Sequence, residues 1–341
     1  MGSNPTLSAR LIFRLRPLLL LLAAFALAAA ANPPAAAQLA PELEAFIQDM
    51  VRKHQFSDES LRRIFATVES NPAVISAISA PITALPWYQF RSRYVDAARI
   101  NGGIKFWREH AGTLGRARRE FGVPEEIIVA TIGVESTYGR HTGRFGVLEA
   151  LTMLAFNYPP RAELFRSELE HYLLLAREAR LDATGVKGSY AGAIGIPQFL
   201  PSSYRRYAVD FDGDGRRDLM GSPADAIGSV ANYYRSHGWR AGETIAVPAE
   251  VDPAIATALL ELGVKPRLNV GELKRRGVSP AAPLDEGRAA ALLRVESEDG
   301  PSHWLGLNNF YVITRYNRSV NYGLAVHELA RELRAQFRPG G

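Results

Sequence analysis

The stretch PEEIIVATIGVESTYGR, residues 124–140, constrains the fold of this 341-residue chain more than any other. Pro124 suits the first helical position, and Glu125 and Glu126 complement the positive end of a helix. Ile, Val, Ala, Thr and Gly then run up to a single carboxylate, Glu135. A helix this apolar belongs among other helices. At about 100° per residue, Ile128, Ile132 and Glu135 share one face, so the carboxylate points the same way as two isoleucines. Desolvation there disfavours the anion and raises the pKa, giving a protonated acid near neutral pH, the state a general acid needs. The structural alternative is that Glu135, at the helix end, reaches water or pairs with Arg140 or Arg144.

Neighbouring sequence supplies the other helices. From Pro41 to about Ala130 the pattern is helical: Phe46, Ile47, Met50 and Val51 recur one turn apart, and Leu61, Ile64 and Phe65 follow SDES, where Ser57 or Asp58 can cap. Pro81 and Pro86 end helical segments in APITALPWYQF. RAELFRSELEHYLLLAREAR (161–180) and PADAIGSVANYYRSHGW (223–239) read as further helices, the first amphipathic. Between about Glu243 and Leu305, short apolar runs such as TIAVP and AALLRVES alternate with Pro and Gly, which predicts strands of a small α/β insert. NNFYVITRYN (308–317) predicts an extended lead into a final helix, YGLAVHELARELRAQF.

The first stretch, RLIFRLRPLLLLLAAFALAAAANPPAAAQ, has three arginines, an apolar run of about 14 residues and small residues ending in Ala35-Ala36-Ala37. That order is the pattern of a cleaved signal peptide; the run is shorter than a spanning helix needs, the other reading being an uncleaved anchor. The chain has no cysteine, which excludes a lipid anchor and disulfides. Once Arg10, Arg14 and Arg16 leave with the signal, 37 basic residues face 35 acidic ones, and nucleic-acid binding loses its electrostatic support.

Two further stretches carry chemistry. In KGSYAGAIGIPQFLPSSYRRYAVDFDGDGRRD (187–218), small residues let a backbone approach a ligand, while Ser189, Tyr190, Gln198 and Tyr204 supply donors and rings suited to sugars. Its end is D-x-D-x-D-G: Asp210, Asp212 and Asp214 followed by Gly215, the opening of a calcium loop with the Arg216 carbonyl at position 7. Gly221 stands where the usual bidentate glutamate would be, so Asp218 or Asp225 has to close the cage. The ion expected is structural, and no organic cofactor is expected. In the second stretch, NNFYVITRYNRSVNYG, Tyr316, Asn317 and Tyr322 fit either a cleft wall or a strand-to-helix corner.

Together, GVESTYGR, LTMLAFNYPPRAELF, GSYAGAIGIPQFLPSSYRRYAVDFDGDG, DAIGSVANYY and NNFYVITRYNRS resemble the MltB family of lytic murein transglycosylases, in the family's order from about residue 40 onward. The resemblance implies a mainly α (α+β) fold: a lysozyme-like helical core, an N-terminal helical domain, a small α/β insert and an EF-hand-like loop. The implied boundaries are a signal peptide at 1–37, the N-terminal domain at 38–107, the core at 108–242 with its calcium loop at 210–225, the insert at 243–305, and the C-terminal part of the core at 306–341. It implies Glu135 as the single catalytic acid and base. Ser189 and Gln198 become active-site hydrogen-bonders, Tyr233 orients the glutamate or stacks on a sugar, and Tyr316, Asn317 and Tyr322 line the cleft. Where the family can show two arginines after NYP, this chain has Pro160-Arg161, so only Arg161 carries over.

The activity implied is cleavage of the β-1,4 bond between N-acetylmuramic acid and N-acetylglucosamine in peptidoglycan strands, in the periplasm, by a monomer. Glycosidases generally use two carboxylates, but the loop matched here offers Ser, Gln and Tyr. The nucleophile then comes from the substrate: the acetamido oxygen supports C1, O6 closes onto it, and a 1,6-anhydro end results without water. A hydrolytic muramidase, or a non-catalytic calcium-stabilised peptidoglycan-binding protein, are the competing expectations.

Overall fold

The structure is a computed structural model that describes residues 41–79 and 85–338. The expected signal peptide and the break at Pro81 lie outside the described residues. Three helices come first: α1 (Pro41–His54), α2 (Asp58–Phe65) and α3 (Pro72–Ser79). Ser57 is the cap of α2, its side chain accepting the Ser60 N–H at 3.2 Å. Leu43, Ile47 and Met50 are the buried residues of α1, and Phe46 meets Phe65 and Phe156 edge-on.

Next come α4 (Trp87–Tyr94), α5 (Ala97–Glu109) and α6 (Ala111–Phe121), leading to α7 (Glu125–Ser136). Pro124 sits one position earlier than the sequence implied: its ψ of 143° is extended, so it caps α7 and helical geometry begins at Glu125. A short strand, β1 (Phe145–Gly146), pairs antiparallel with β2 (Lys187–Gly188) around α8 (Val147–Asn157) and α9 (Ala162–Ala179). After α10 (Pro201–Tyr207) and α11 (Pro223–Ser236) the chain enters a sheet.

That sheet joins β3 (Ala246–Val251), β4 (Leu268–Asn269), β5 (Val278–Pro280), β6 (Ala289–Ser297) and β7 (Gly300–Gly306) in the antiparallel order β4-β6-β7-β3-β5. Helices α12 (Pro253–Leu260) and α13 (Val270–Arg275) lie between its strands in sequence. The continuous apolar run of β6 follows from burial on both faces. Leu292 packs with Val247, Leu259 and Leu273, whereas Leu293 and Val295 pack with Trp87, Phe90, Phe310 and Leu324. The sheet is thereby fixed to the helical body.

The chain ends in α14 (Asn308–Tyr316) and α15 (Val320–Gln336). Residues 308–317, expected to be extended from their aromatic and β-branched content, are thus mostly helical. Packing overrides that local preference: Asn309, Phe310, Ile313 and Thr314 fall on one helical stripe and are all buried. Helix α7 is enclosed as its composition requires. Every residue from Ile127 to Val134 is buried, with α5, α6, α11 and α15 around it.

Candidate active site

Helix α7 stops one residue after its acid. Thr137, Tyr138 and Gly139 all take positive φ (52°, 62° and 82°), which reverses the chain at once. Two contacts hold that reversal. Ser136 donates to the Ile196 carbonyl at 2.6 Å and accepts the Gly139 N–H at 2.9 Å, tying α7 to the 188–199 loop. The Tyr138 ring lies between α5 and α7, donating to the Arg99 carbonyl at 2.8 Å. A methyl at Gly103 or Gly133 would meet its hydroxyl at 2.5 Å, so small residues there make its slot.

Glu135 is half-buried. Its Oε1 accepts a hydrogen bond from the Tyr322 hydroxyl at 2.6 Å. Burial pushes its pKa up from 4.5 to about 7, with the Tyr322 bond pulling the other way. Neither arginine considered from sequence pairs with it: Arg140 donates to the Thr137 carbonyl, and Arg144 lies over the Phe145 ring. Tyr322 is 3% exposed. It is therefore a buried anchor beneath the acid rather than part of a cleft wall. Burial, reinforced by the Glu135 charge, holds its phenol well above the usual range, so it stays a donor.

The hydroxyl that bonds Glu135 is that of Tyr322, not that of Tyr233. Tyr233 is 6% exposed, donates to the Arg315 carbonyl at 2.6 Å, packs against His237, Tyr207 and Tyr316, and lines a surface hollow with Ser202, Tyr207 and His237. Tyr316, in the same aromatic cluster, lies near parallel to Tyr322 and donates to the Pro197 carbonyl at 2.5 Å. Helices α14 and α15 are thus joined to the loop that carries Ser189 and Gln198. Asn317 is exposed just beyond α14, its carbonyl accepting the Ser319 N–H.

That loop is held by its own polar groups. Ser189 Oγ accepts the Ala191 and Ala193 N–H groups at 3.2 and 3.1 Å. Gln198, at φ 51°, spends its amide hydrogens on the Thr142 and Gly195 carbonyls at 2.9 and 2.8 Å, which leaves its side-chain oxygen for a ligand. Arg161 is exposed, 5.2 Å over the Phe165 ring, and its charge acts on the half-buried Tyr190. Sequence reasoning missed Tyr94 at the end of α4, whose phenol is raised by burial and by the Glu135 charge. No local pattern links residues so far apart in the chain.

Asp210, Asp212 and Asp214 each offer an oxygen, all within 4.8 Å of one another. The turn is shaped by the aspartates themselves: Asp210 accepts the Gly213 and Gly215 N–H groups, and Asp214 accepts that of Arg216. A cluster of hard, like-charged oxygens fits a cation such as calcium. Asp225 does not join it. It is 1% exposed, and its two oxygens accept the Phe211 and Asp218 N–H groups at 2.6 and 2.7 Å, so it braces the loop ends instead. Ser222 links the trio to the next helix, donating to Asp212 at 2.6 Å while capping α11.

A helical body of this kind, with a small sheet fixed to one side, is that of the lysozyme-like lytic transglycosylases. The Transglycosylase SLT domain family matches residues 38–331, and the chain belongs to it. It is similar to membrane-bound lytic murein transglycosylase B of Escherichia coli (strain K12), 41% identical over 302 residues, 85% of this chain and 82% of that protein. Soluble lytic transglycosylase SltB1 from Pseudomonas aeruginosa is 46% identical, with a TM-score of 0.80 over 87% of this chain and 99% of that one. Slt35 of Escherichia coli, in complex with calcium, is 40% identical with a TM-score of 0.77 over 86% and 93%. SltB3 from Pseudomonas aeruginosa, in complex with NAG-anhNAM-pentapeptide, is 34% identical with a TM-score of 0.74 over 85% and 78%. The chain is accordingly an enzyme, a lytic murein transglycosylase.

Proposed function

We propose that Glu135 cleaves the MurNAc-GlcNAc β-1,4 bond of peptidoglycan without water, acting first as acid and then as base. The observation that carries this reading is an acid near pKa 7, held by Tyr322, with no second carboxylate contributing to its shift among the described residues. Protonated Glu135 gives its proton to the glycosidic oxygen as the C1–O bond breaks, and the acetamido oxygen supports C1. The O6 hydroxyl then bonds to C1 and its proton returns to Glu135, so the acid is regenerated and a 1,6-anhydro-MurNAc end is left. The free oxygen of Gln198 and the Ser189 loop are suited to hold the N-acetyl group; Tyr316 sets the loop's position, and Arg161 and Asn317 lie further out. Keeping an intramolecular nucleophile in place can supply on the order of 7–11 kcal/mol. The occurrence of NAG-anhNAM-pentapeptide in the SltB3 complex supports the same outcome.

Digestion of purified peptidoglycan followed by mass spectrometry tests this reading. Fragments should carry anhydro ends, 18 Da lighter than hydrolysed ones as loss of one water requires. Reducing ends in their place would make the enzyme a hydrolytic muramidase.

A structural calcium at Asp210, Asp212, Asp214 and the Arg216 carbonyl completes the proposal, supported by the calcium complex of Slt35. Such an ion offsets carboxylate repulsion and, through Ser222, steadies the start of α11, which packs on α7. Chelation should lower Tm by about 5 °C, the mass-action loss of a ligand bound only to the folded state. An unchanged Tm in EDTA would remove the ion. The basic, apolar and small-residue order of residues 1–37 supports a periplasmic location.

A further inference from the structure

Helices α9, α10 and the end of α11 surround an open hollow of about 450 Å³. Three of the residues that line it have their polar groups engaged. Arg205 holds Glu178 with two nitrogens, at 3.0 and 2.7 Å, and donates through the third to His171 Nδ1 at 2.6 Å. Ser202 gives its N–H and its hydroxyl to Glu168 at 2.9 and 2.6 Å, and the Tyr233 hydroxyl is bonded to the Arg315 carbonyl.

The remaining polar groups are unengaged. Because His171 accepts at Nδ1, its proton sits on Nε2, which has no partner among the described residues. His237 is the reverse. Its Nδ1–H donates to the Tyr233 carbonyl at 2.8 Å, and burial, with Arg315 and Arg206 nearby, lowers its pKa, so Nε2 keeps a lone pair. The hydroxyls of Ser203 and Tyr207 and the guanidinium of Arg206, which lies over the Tyr207 ring, also lack hydrogen-bond partners among the described residues. All five residues are half-buried or exposed, and none of these unpartnered atoms is closed off from solvent.

Charge and proton placement decide what fits. No carboxylate lines the hollow among the described residues, and Arg206 brings a cation to it, so an anion is favoured. A phosphate or sulfate offers only acceptors and would meet the His237 lone pair. A carboxylate with an N–H close beside it satisfies both sides, its oxygens taking Arg206 and the His171 Nε2–H and its N–H going to His237 Nε2. The last residue of a peptide has that pair, because its carboxylate and its own amide N–H share one carbon.

We propose that the hollow binds the C-terminal residue of a peptidoglycan stem peptide. Tyr233, one wall of the hollow, is separated from Tyr322 by the single ring of Tyr316, which it meets at 4.8 Å. A strand cleaved at Glu135 therefore has a stem held beside the cleft. The inference rests on peptidoglycan as the substrate and does not use the role of Glu135.

The test is calorimetric titration of the wild-type protein with NAG-anhNAM-pentapeptide and with the same compound amidated at its C-terminal carboxyl. Amidation should weaken binding about tenfold, and so should Arg206→Gln, since each removes a charge-assisted hydrogen bond. The two changes together should weaken it no further than either alone, because both remove the same contact. Among the ring signals of the seven histidines, that of His237, identified by its loss in His237→Gln, should move with the free acid. Equal affinity for acid and amide, additive losses, or a His237 signal that stays still at millimolar ligand overturns the site. Binding needs no turnover, so reducing ends among digestion products would count against the catalytic reading alone.

Discussion

Glu135→Gln should lower release of soluble fragments from purified sacculi by about 10³-fold while leaving sacculus binding intact, because one group serves both proton transfers. In the wild type, activity should fall as pH rises through about 7, where the acid ionises. Tyr322→Phe should move that limb upward, since the lost hydrogen bond favours the anion. Glu135→Gln also carries a stability signature. Glu135 has a pKa raised from 4.5 to about 7, so the stability it confers is complete below pH 4.5 and is lost as pH climbs through 7. The glutamine variant escapes that loss, and by pH 8 it should be the more stable protein by up to roughly 3 kcal/mol, with no difference at pH 4. Denaturant melts at the two pH values check this. Substantial turnover by Glu135→Gln would end the catalytic assignment, and an equal offset at both pH values would show that the carboxyl is not held neutral by burial.

Gly143→Ala should be nearly as damaging although it removes no reacting group. Gly143 has φ 100°, and a methyl there would lie 2.0 Å from the Gly188 carbonyl carbon and oxygen and 2.5 Å from the Ser189 nitrogen. All three are backbone atoms, so β2 and the Ser189 loop have to shift. Adding the strain of a left-handed alanine to an overpacked contact gives about 3–5 kcal/mol, or roughly 10 °C in Tm. Turnover should fall with it, since Thr142, next in the chain, holds the Gln198 amide. Gly213→Ala is the control: its φ of 84° is equally left-handed, but nothing lies within 4 Å of the added methyl. Equal melting losses in the two variants would show that the close approach at Gly188 contributes nothing.

How much of this was legible in the sequence depended on the range of the interaction. The apolar run with its one acid predicted α7 and a raised pKa, because burial and helical spacing are written into consecutive residues. The three clustered aspartates were legible for the same reason, as was the β6 strand within AALLRVES. Long-range partners were not. That Tyr322 rather than Tyr233 would meet Glu135 depends on how α15 crosses α7, and Asp225 turned to brace the loop because Phe211 and Asp218 offered it N–H groups. Residues 308–317 misled through composition: aromatic and β-branched side chains favour strands until one helical stripe finds a core to enter.

The abrupt reversal that follows Ser136 limits how the protein can change. Because Glu135 sits two residues before the left-handed stop at Thr137, adding or deleting a single residue within α7 would swing the acid through about 100° relative to its tyrosine. Indels should therefore be tolerated only on the far side of that stop or before Pro124, and α7 should behave as a ruler whose length is as fixed as the identity of the acid it carries.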